Sequence, residues 1–95
     1  MAFYKINDLR KKIAESGSIQ KSVLGELVKA GIATIPKDVE PPLHVQPNEE
    51  QFTLVLEGKL HYILGDEERT LESGDLILIP RGVAHTSRAL GGSAT

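Results

Sequence analysis

The chain opens with a helix-type pattern of apolar residues, which gives way further along to patterns typical of strands. Apolar residues recur at helical spacing from Ile6 to Ile13. Asn7 is a residue type that can cap the start of a helix, and Gly17 is one that can end it. These positions predict a short helix over residues 6–16. Its apolar stripe is narrow, so we expect the helix to lie on the outside of a larger body.

Beyond this segment, short apolar or alternating runs are separated by turn residues, which is the pattern of β-strands. The predicted strands cover residues 19–24, 26–35, 43–46, 52–57, 59–64, 69–71, 76–79 and 84–90. Many short strands with one peripheral helix predict an all-β sandwich or barrel. We therefore expect one domain over residues 1–95, divided into a helical segment at 1–18, a barrel at 19–90 and a loose tail at 91–95.

Composition excludes several classes of function. The net charge is −2 and no concentrated basic surface is evident, which argues against a nucleic-acid partner. The chain has no cysteine, which excludes disulfides and thiolate chemistry. No apolar run approaches the roughly 20 residues that span a bilayer. The N-terminus lacks the apolar core of a signal peptide, so we expect no membrane partner and a cytoplasmic location.

Polar residues share single faces of the predicted strands. His44 and Gln46 are two residues apart on one strand and therefore point to the same side. His85 and Ser87 stand in the same relation on the last strand. The strand between them places Gln51, Thr53 and Val55 on one face.

The first part of this pattern resembles the first sequence motif of the cupins. That motif runs His-x-His, three or four residues, Glu, six residues and Gly. Here His44 and Gly58 match, while Gln46 stands at the second histidine position and Gln51 at the glutamate position. Glu50 is one residue out of register for the carboxylate, and such a slip turns a strand side chain to the opposite face.

The second cupin motif is matched more closely. It runs Gly, five residues, Pro-x-Gly, two residues, His, three residues and Asn. Gly74, Pro80, Gly82 and His85 all stand in place, whereas Ala89 replaces the final asparagine. The resemblance covers about residues 26–90. It implies a double-stranded β-helix (jelly-roll) barrel, here preceded by the one short helix.

The resemblance also implies a metal site at His44, Gln46, Gln51 and His85. Two imidazoles and two amide oxygens provide weaker donors than the family's set and no compensating charge. Imidazole still suits Zn, Ni, Fe or Cu, and a water or a substrate carboxylate can complete the shell. Two interpretations remain open: a weakly held divalent transition metal, or a polar hydrogen-bonded pocket lining.

Two functions follow from these interpretations. The first is a binding cupin that takes a small polar ligand, with or without the metal, at His44, Gln46, Gln51, Thr53, Val55, His85 and Ser87. The alternative is a metal-dependent cupin enzyme of dioxygenase or isomerase type acting on a small polar molecule. A vestigial pocket in a stability or assembly protein is a third interpretation. No catalytic residue can be assigned from the sequence, because fold alone does not fix activity.

The remaining polar residues near the motifs have simpler interpretations. His61 lies between Leu60 and Tyr62 and therefore points away from their face, toward the surface or a dimer partner. Tyr62 is expected to pack in the interior. Arg81 and Arg88 lie near the barrel mouth by sequence, where either can bind a carboxylate but is more simply solvated.

We also expect a homodimer. A chain of 95 residues buries a thin core, and association would supplement it. Phe52, Leu54 and Leu56 are apolar residues on the outward face of one strand. Cupins usually continue with a further strand where this chain ends at Thr95. The chain is therefore either shortened or its sheet is completed differently, for example by a partner chain.

Overall fold

The computed structural model describes residues 3–37, 39 and 41–95. The described residues form eight strands, and every strand pairing among them is antiparallel. The strands are β1 (Lys12–Ile13), β2 (Ile19–Leu24), β3 (Lys29–Thr34), β4 (Gln51–Leu54), β5 (Lys59–Leu64), β6 (Glu67–Glu72), β7 (Leu76–Ile79) and β8 (His85–Leu90).

The strands form three small sheets, ordered β1-β2-β3, β4-β7 and β6-β5-β8. β4 pairs with β7 and β5 pairs with β8, so each partner is three strands further along the chain. Interleaved pairings of this kind wind the chain into a double-stranded β-helix. The predicted all-β jelly-roll barrel is confirmed.

The helical element at the N-terminus is present but shorter than predicted. It is a single 3-10 turn at Ile6–Asp8, and the extension of the helix to residue 16 is wrong. Lys12–Ile13 instead forms β1 and pairs with the start of β2. Gly17, at φ +90°, lies in the turn between them, and its N–H donates to the carbonyl of Ala14 at 2.8 Å. The described residues contain no helix long and apolar enough to cross a membrane.

The last residues are fixed to the barrel, so the loose tail expected at residues 91–95 is wrong. Ala94 is 1% exposed and exchanges two backbone hydrogen bonds with Ile35, at 2.7 and 3.0 Å. Gly58 has φ +82°, and a Cβ there would lie 2.6 Å from the carbonyl oxygen of Ser93. The motif glycine therefore lets the final segment approach the turn between β4 and β5.

The core lies between the β4–β7 sheet and the β6–β5–β8 sheet. Alternate residues of β5 point into it, so Leu60 and Tyr62 are buried while His61 faces outward, as the sequence predicts. Ile77 and Ile79 of β7 contribute from the opposite sheet. The buried cluster consists of Val55, Leu60, Tyr62, Ile79, Ala89 and Ala94.

The outer side of the β4–β7 sheet is apolar and exposed. Phe52 lies directly opposite Leu78 across the two strands, and Leu54 lies opposite Leu76. The exposed residues are Phe52, Leu54, Leu56, Leu76 and Leu78, and we call this set the apolar face. The outward direction predicted for the first three is confirmed, while the homodimer stays a prediction.

Candidate metal and ligand site

The two motif histidines face each other across an isolated β-bridge. The His44 N–H donates to the His85 carbonyl at 3.1 Å, and the His85 N–H donates to the His44 carbonyl at 2.9 Å. Two residues paired in this way carry their side chains on the same side of the ladder. The ring centroids are 4.1 Å apart, with the ring planes at 61°. Pairing of the backbone thus brings the two predicted imidazole ligands together.

Both rings are oriented by the same type of hydrogen bond. His44 Nδ1 lies 3.3 Å from the carbonyl oxygen of Pro42, and His85 Nδ1 lies 3.0 Å from that of Val83. A carbonyl oxygen can only accept, so each Nδ1 must carry the proton. In the neutral imidazole this leaves a lone pair on Nε2. Metal-binding histidines are commonly prepared in this way, with one nitrogen bound to a backbone carbonyl and the other free for the ion.

Two acceptor atoms of the predicted ligand residues are buried without a hydrogen-bond partner in the part of the chain that the structure describes. One is Nε2 of His85, whose residue is 2% exposed, and the other is Oε1 of the Gln46 side chain. Burying a polar atom without a hydrogen bond is unfavourable, typically by about 1–3 kcal/mol. Because both atoms are acceptors, they cannot satisfy each other. Their complement is a cation or a hydrogen-bond donor.

A hydrogen-bonded chain runs from Gln51 into the interior. The side-chain N–H of Gln51 donates to the hydroxyl of Thr53 at 2.9 Å, and Thr53 is hydrogen-bonded in turn to Tyr62. Burial raises the pKa of Tyr62 to about 12, although the bond to Thr53 opposes the shift. Since its nitrogen is used, Gln51 retains its amide oxygen for a ligand or metal. Tyr62 packs in the core, as the sequence predicts.

The other predicted lining residues lie at different depths. Val55 is 1% exposed and belongs to the hydrophobic core cluster. Ser87 is half-buried and lies opposite Tyr62 across β5 and β8. Glu50 is exposed, and β4 begins after it, at Gln51. Among the described residues no group of three or more histidine, cysteine, aspartate or glutamate side chains is placed to hold a metal.

The donor atoms of these residues suit a metal ion, and hydrogen bonds at Nδ1 leave the Nε2 lone pairs of both histidines free. The net charge of the set does not suit a metal ion. Two imidazole nitrogens with free lone pairs suit a divalent transition metal. The unpartnered oxygen of Gln46 is a further donor with no competing hydrogen bond. The set contains no anionic group. The four-residue ligand set of His44, Gln46, Gln51 and His85 stays a prediction.

Two contacts that the sequence analysis missed hold the site in place. The hydroxyl of Thr86 donates to the carbonyl of Pro41 at 2.7 Å, which ties the segment before His44 to β8. The N–H of Gly82 donates to the carbonyl of Gln46 at 2.9 Å, which ties the second motif to the first. Backbone carbonyls accept both bonds, so no side-chain pattern in the sequence indicates them.

An outer cleft lies on the side of β5 and β8 to which His61 points, and its lining includes Thr86 and Pro41, close along the chain to the two histidines. It has a volume of about 330 Å³, and its lining residues are Pro41, His61, Ile63, Glu68, Thr86, Ser87 and Arg88. His61 Nε2 lies 3.8 Å from a carboxylate oxygen of Glu68, and both side chains reach solvent. Arg88 lies opposite His61 in the strand register and lines this cleft, while Arg81 is exposed.

Comparison with solved structures shows the same fold in several cupin-type proteins. KdgF from Halomonas sp. aligns over 99% of this chain and 86% of its own, with 21% identity and a TM-score of 0.88. A predicted oxalate decarboxylase from Thermotoga maritima aligns over 98% and 92%, with 12% identity and a TM-score of 0.86. HppE, solved with Fe(II) and the alternative substrate (S)-1-HPP, aligns over 99% and 56%, with 16% identity and a TM-score of 0.85.

Sequence comparison gives the family directly. A search of curated proteins finds no significant match. The cupin domain family model matches residues 31–95, which is more than half of the chain and includes both motifs. The structural similarities agree with that match. This chain therefore belongs to the cupin family.

Proposed function

We propose that this cupin binds a small polar ligand at its histidine pair, together with a weakly held divalent transition metal. The observation that carries the proposal is the pair of buried acceptors, His85 Nε2 and Gln46 Oε1, which have no hydrogen-bond partner among the described residues. The opposed backbone bonds of His44 and His85 support it, because they fix the two rings 4.1 Å apart. Two nitrogens about 2.1 Å from one ion are compatible with rings at that separation.

Different residues would hold the metal and contact the ligand. Nε2 of His44 and of His85 would hold the metal, with the amide oxygens of Gln46 and Gln51 as weaker donors. A metal in this position supplies Lewis acidity toward a carbonyl or carboxylate oxygen. Thr53 is a half-buried hydroxyl that can donate to or accept from a bound ligand, whereas Ser87 lines the outer cleft. His44 is exposed, so a ligand can reach the pair from solvent on its side.

A metal-dependent enzyme of dioxygenase or isomerase type is the second candidate. The free Nε2 lone pairs of both histidines favour this candidate, because histidines held through Nδ1 are found in catalytic as well as in binding metal sites. The similarity to HppE, solved with Fe(II), is a reason to test it. Within the described residues, however, no carboxylate joins the histidines to act as a general base. Binding without assigned chemistry is therefore our first choice.

Metal titration of untagged protein tests the proposal. We expect Zn²⁺ and Ni²⁺ to bind with one-to-one stoichiometry, as measured by isothermal titration calorimetry. His44→Ala should weaken binding at least about tenfold, because it removes one of two imidazole donors. His61→Ala is the matched control, since His61 lies on the outside of the barrel.

The two variants distinguish metal binding at the histidine pair from metal binding at the outer cleft. Because His44 is exposed, its replacement should leave the fold intact, and circular dichroism can verify this. Equal weakening by His61→Ala would mean that the metal binds at the outer cleft and would contradict the proposal. An absence of binding to the natural protein would overturn its metal component. Binding of polar small molecules, followed by thermal shift, would then test the ligand component alone.

A further inference from the structure

We infer that the outer cleft binds a small zwitterion that carries an ammonium, a carboxylate and an apolar side chain, as a free amino acid or a dipeptide does. The cleft has a volume of about 330 Å³, and neither His44 nor His85 lines it. Ligand pockets commonly begin at about 300 Å³, so this cleft suits a small molecule. The inference needs no metal and does not depend on the ligand of the histidine pair.

The strand register places two charged residues at opposite corners of this cleft. Glu68 of β6 and Thr86 of β8 lie on either side of Ile63 of β5. In the neighbouring row of the same face, Arg88 of β8 lies opposite His61 of β5. Adjacent strands are about 4.8 Å apart and rows on one face about 7 Å apart, so the backbones of Glu68 and Arg88 are about 12 Å apart. The cleft thus has an acidic corner and, diagonally across β5, a basic corner.

The acidic corner offers two acceptors to an ammonium group. His61 Nε2 and a carboxylate oxygen of Glu68 are 3.8 Å apart, which is too long for a direct hydrogen bond. When its proton is on Nδ1, His61 presents a lone pair at Nε2. An ammonium nitrogen about 2.9 Å from each atom can donate to both, because it has three N–H donors. The His61 side chain is 28% exposed, so this corner is partly shielded from water.

The basic corner suits a carboxylate. Arg88 is exposed and lines the cleft. It also interacts within the protein, and its five N–H donors allow a ligand carboxylate to share the guanidinium. A ligand with only a negative charge would be repelled by Glu68, and one with only a positive charge would be repelled by Arg88. A ligand with both charges is complementary to both corners.

The lining between the corners is partly apolar. Ile63 and Pro41 are half-buried, so each retains apolar surface that a ligand can cover. Pro41 is held at the cleft by Thr86, whose hydroxyl donates to the Pro41 carbonyl at 2.7 Å. An apolar side chain of the ligand would be removed from water against Ile63 and Pro41, which favours binding.

Calorimetric titration with L-leucine and with glycyl-L-leucine tests the inference. At least one of them should bind with one-to-one stoichiometry, and the stronger binder shows whether the cleft prefers an amino acid or a dipeptide. 4-Methylpentanoate lacks the ammonium of leucine, and 3-methylbutylamine lacks its carboxylate. Each should bind at least about threefold more weakly than leucine, since each loses one ion pair at a partly exposed site.

Variants of the two corners locate the binding. Glu68→Gln and Arg88→Gln should each weaken zwitterion binding about three- to fivefold. Glu68→Gln should also remove the preference for leucine over 4-methylpentanoate, because the ammonium then has no anionic partner. Glu67→Gln is the matched control: Glu67 points to the opposite face of β6, where it lies 3.5 Å from Arg69. The replaced side chains are all exposed, so the fold should persist, and circular dichroism can verify this.

Several results would overturn the inference. They are no binding of either zwitterion at millimolar concentration, single-charge analogues that bind as tightly as leucine, and zwitterion binding that Glu68→Gln leaves unchanged or that Glu67→Gln weakens equally. Binding that is lost in His44→Ala but retained in Glu68→Gln would place the zwitterion at the histidine pair and would also contradict it. None of these results bears on the proposed metal, which the zinc and nickel titrations test separately.

Discussion

His44 and His85 exchange both of their backbone hydrogen bonds, and this pairing places their rings 4.1 Å apart on one side of the strands. The separation is therefore set by the fold, not by attraction between the side chains. Each ring is further oriented through Nδ1 by a backbone carbonyl two residues earlier in the chain. Little reorganisation is needed when a ligand or ion reaches the Nε2 atoms, which is the condition for a preorganised site.

Restoring the cupin ligand types should strengthen metal binding. We predict that Gln46→His combined with Gln51→Glu tightens Zn²⁺ and Ni²⁺ binding by at least about tenfold, because it adds an imidazole donor and a compensating carboxylate. Calorimetric titration of the natural protein and the double variant measures the difference.

The contrary outcomes of this experiment are informative. Equal affinity for the natural protein and the double variant would mean that the two glutamines are already adequate ligands. No binding to either protein would mean that the four positions do not converge on one ion.

Stability at high pH should depend on Tyr62. Its folded pKa of about 12 exceeds the ordinary value of 10.0, because burial disfavours the charged phenolate. The folded state therefore holds the proton more tightly than the unfolded state. This contribution is fully present below pH 10 and is lost as the pH rises toward 12. The loss amounts to about 1.4 kcal/mol per pH unit within that window.

Urea unfolding of the natural protein and of Tyr62→Phe, measured between pH 9 and about 11.5, isolates this effect. The stability advantage of the natural protein over the variant should shrink as the pH rises, since phenylalanine cannot ionise. Tyr4→Phe is the matched control, because Tyr4 is exposed. A constant difference across the range would show that Tyr62 is not buried as described.

The apolar face is the predicted contact between two copies of the chain. Its five residues, Phe52, Leu54, Leu56, Leu76 and Leu78, include no charged side chain, and each is at least 43% exposed. Two copies meeting through this face would remove these side chains from water, and a biological interface generally buries more than about 1,000 Å² in total. The buried core cluster contains only six hydrophobic residues among those described, so this additional burial would add appreciably to stability.

Sedimentation equilibrium of the natural protein and of Leu54→Lys tests the homodimer. We expect the natural protein to exceed its monomer mass of 10.3 kDa at micromolar concentration, and the variant to sediment as a monomer. Leu27→Lys is the control, because Leu27 is exposed in the turn between β2 and β3, outside the apolar face. A natural protein that remains monomeric at high micromolar concentration contradicts the prediction. Dimers that persist in Leu54→Lys but not in Leu27→Lys would move the interface to that turn.

Strand positions could be predicted from the sequence wherever the hydrophobic pattern and the turn residues agreed. The predicted limits of residues 19–24, 59–64 and 76–79 match β2, β5 and β7. Each of these runs is bounded by turn residues, so its limits have a local cause. The predicted strand at residues 43–46 is present only as the isolated bridge of His44 to His85.

The N-terminal segment shows why a helical spacing can mislead. A stripe of three apolar residues stabilises a helix only if it packs against something, and Ile6 and Ile13 are both exposed. Pairing of β1 with β2 provides hydrogen-bond partners for backbone groups of this segment. A short isolated helix in its place would be only marginally stable. The pattern predicts that Gly17 ends a helix, but its positive φ serves the turn that joins these two strands.

At the site, the sequence indicated residue types but not their hydrogen bonds. Motif spacing identified His44 and His85, and the structure places them together. The ties from Thr86 to the Pro41 carbonyl and from Gly82 to the Gln46 carbonyl depend on the tertiary path of the backbone. No local pattern encodes such contacts, and the unpartnered state of Gln46 Oε1 is equally a product of packing.

The tautomers of the histidines give the most direct test of this account. Two-dimensional ¹H–¹⁵N spectra of the imidazole nitrogens, recorded at neutral pH, distinguish a protonated Nδ1 from a protonated Nε2. We predict that His44 and His85 both carry the proton on Nδ1, and that added Zn²⁺ shifts their Nε2 resonances but not those of His61. A proton on Nε2 of either ring, or Nε2 resonances of both that do not respond to zinc, would contradict the proposed site.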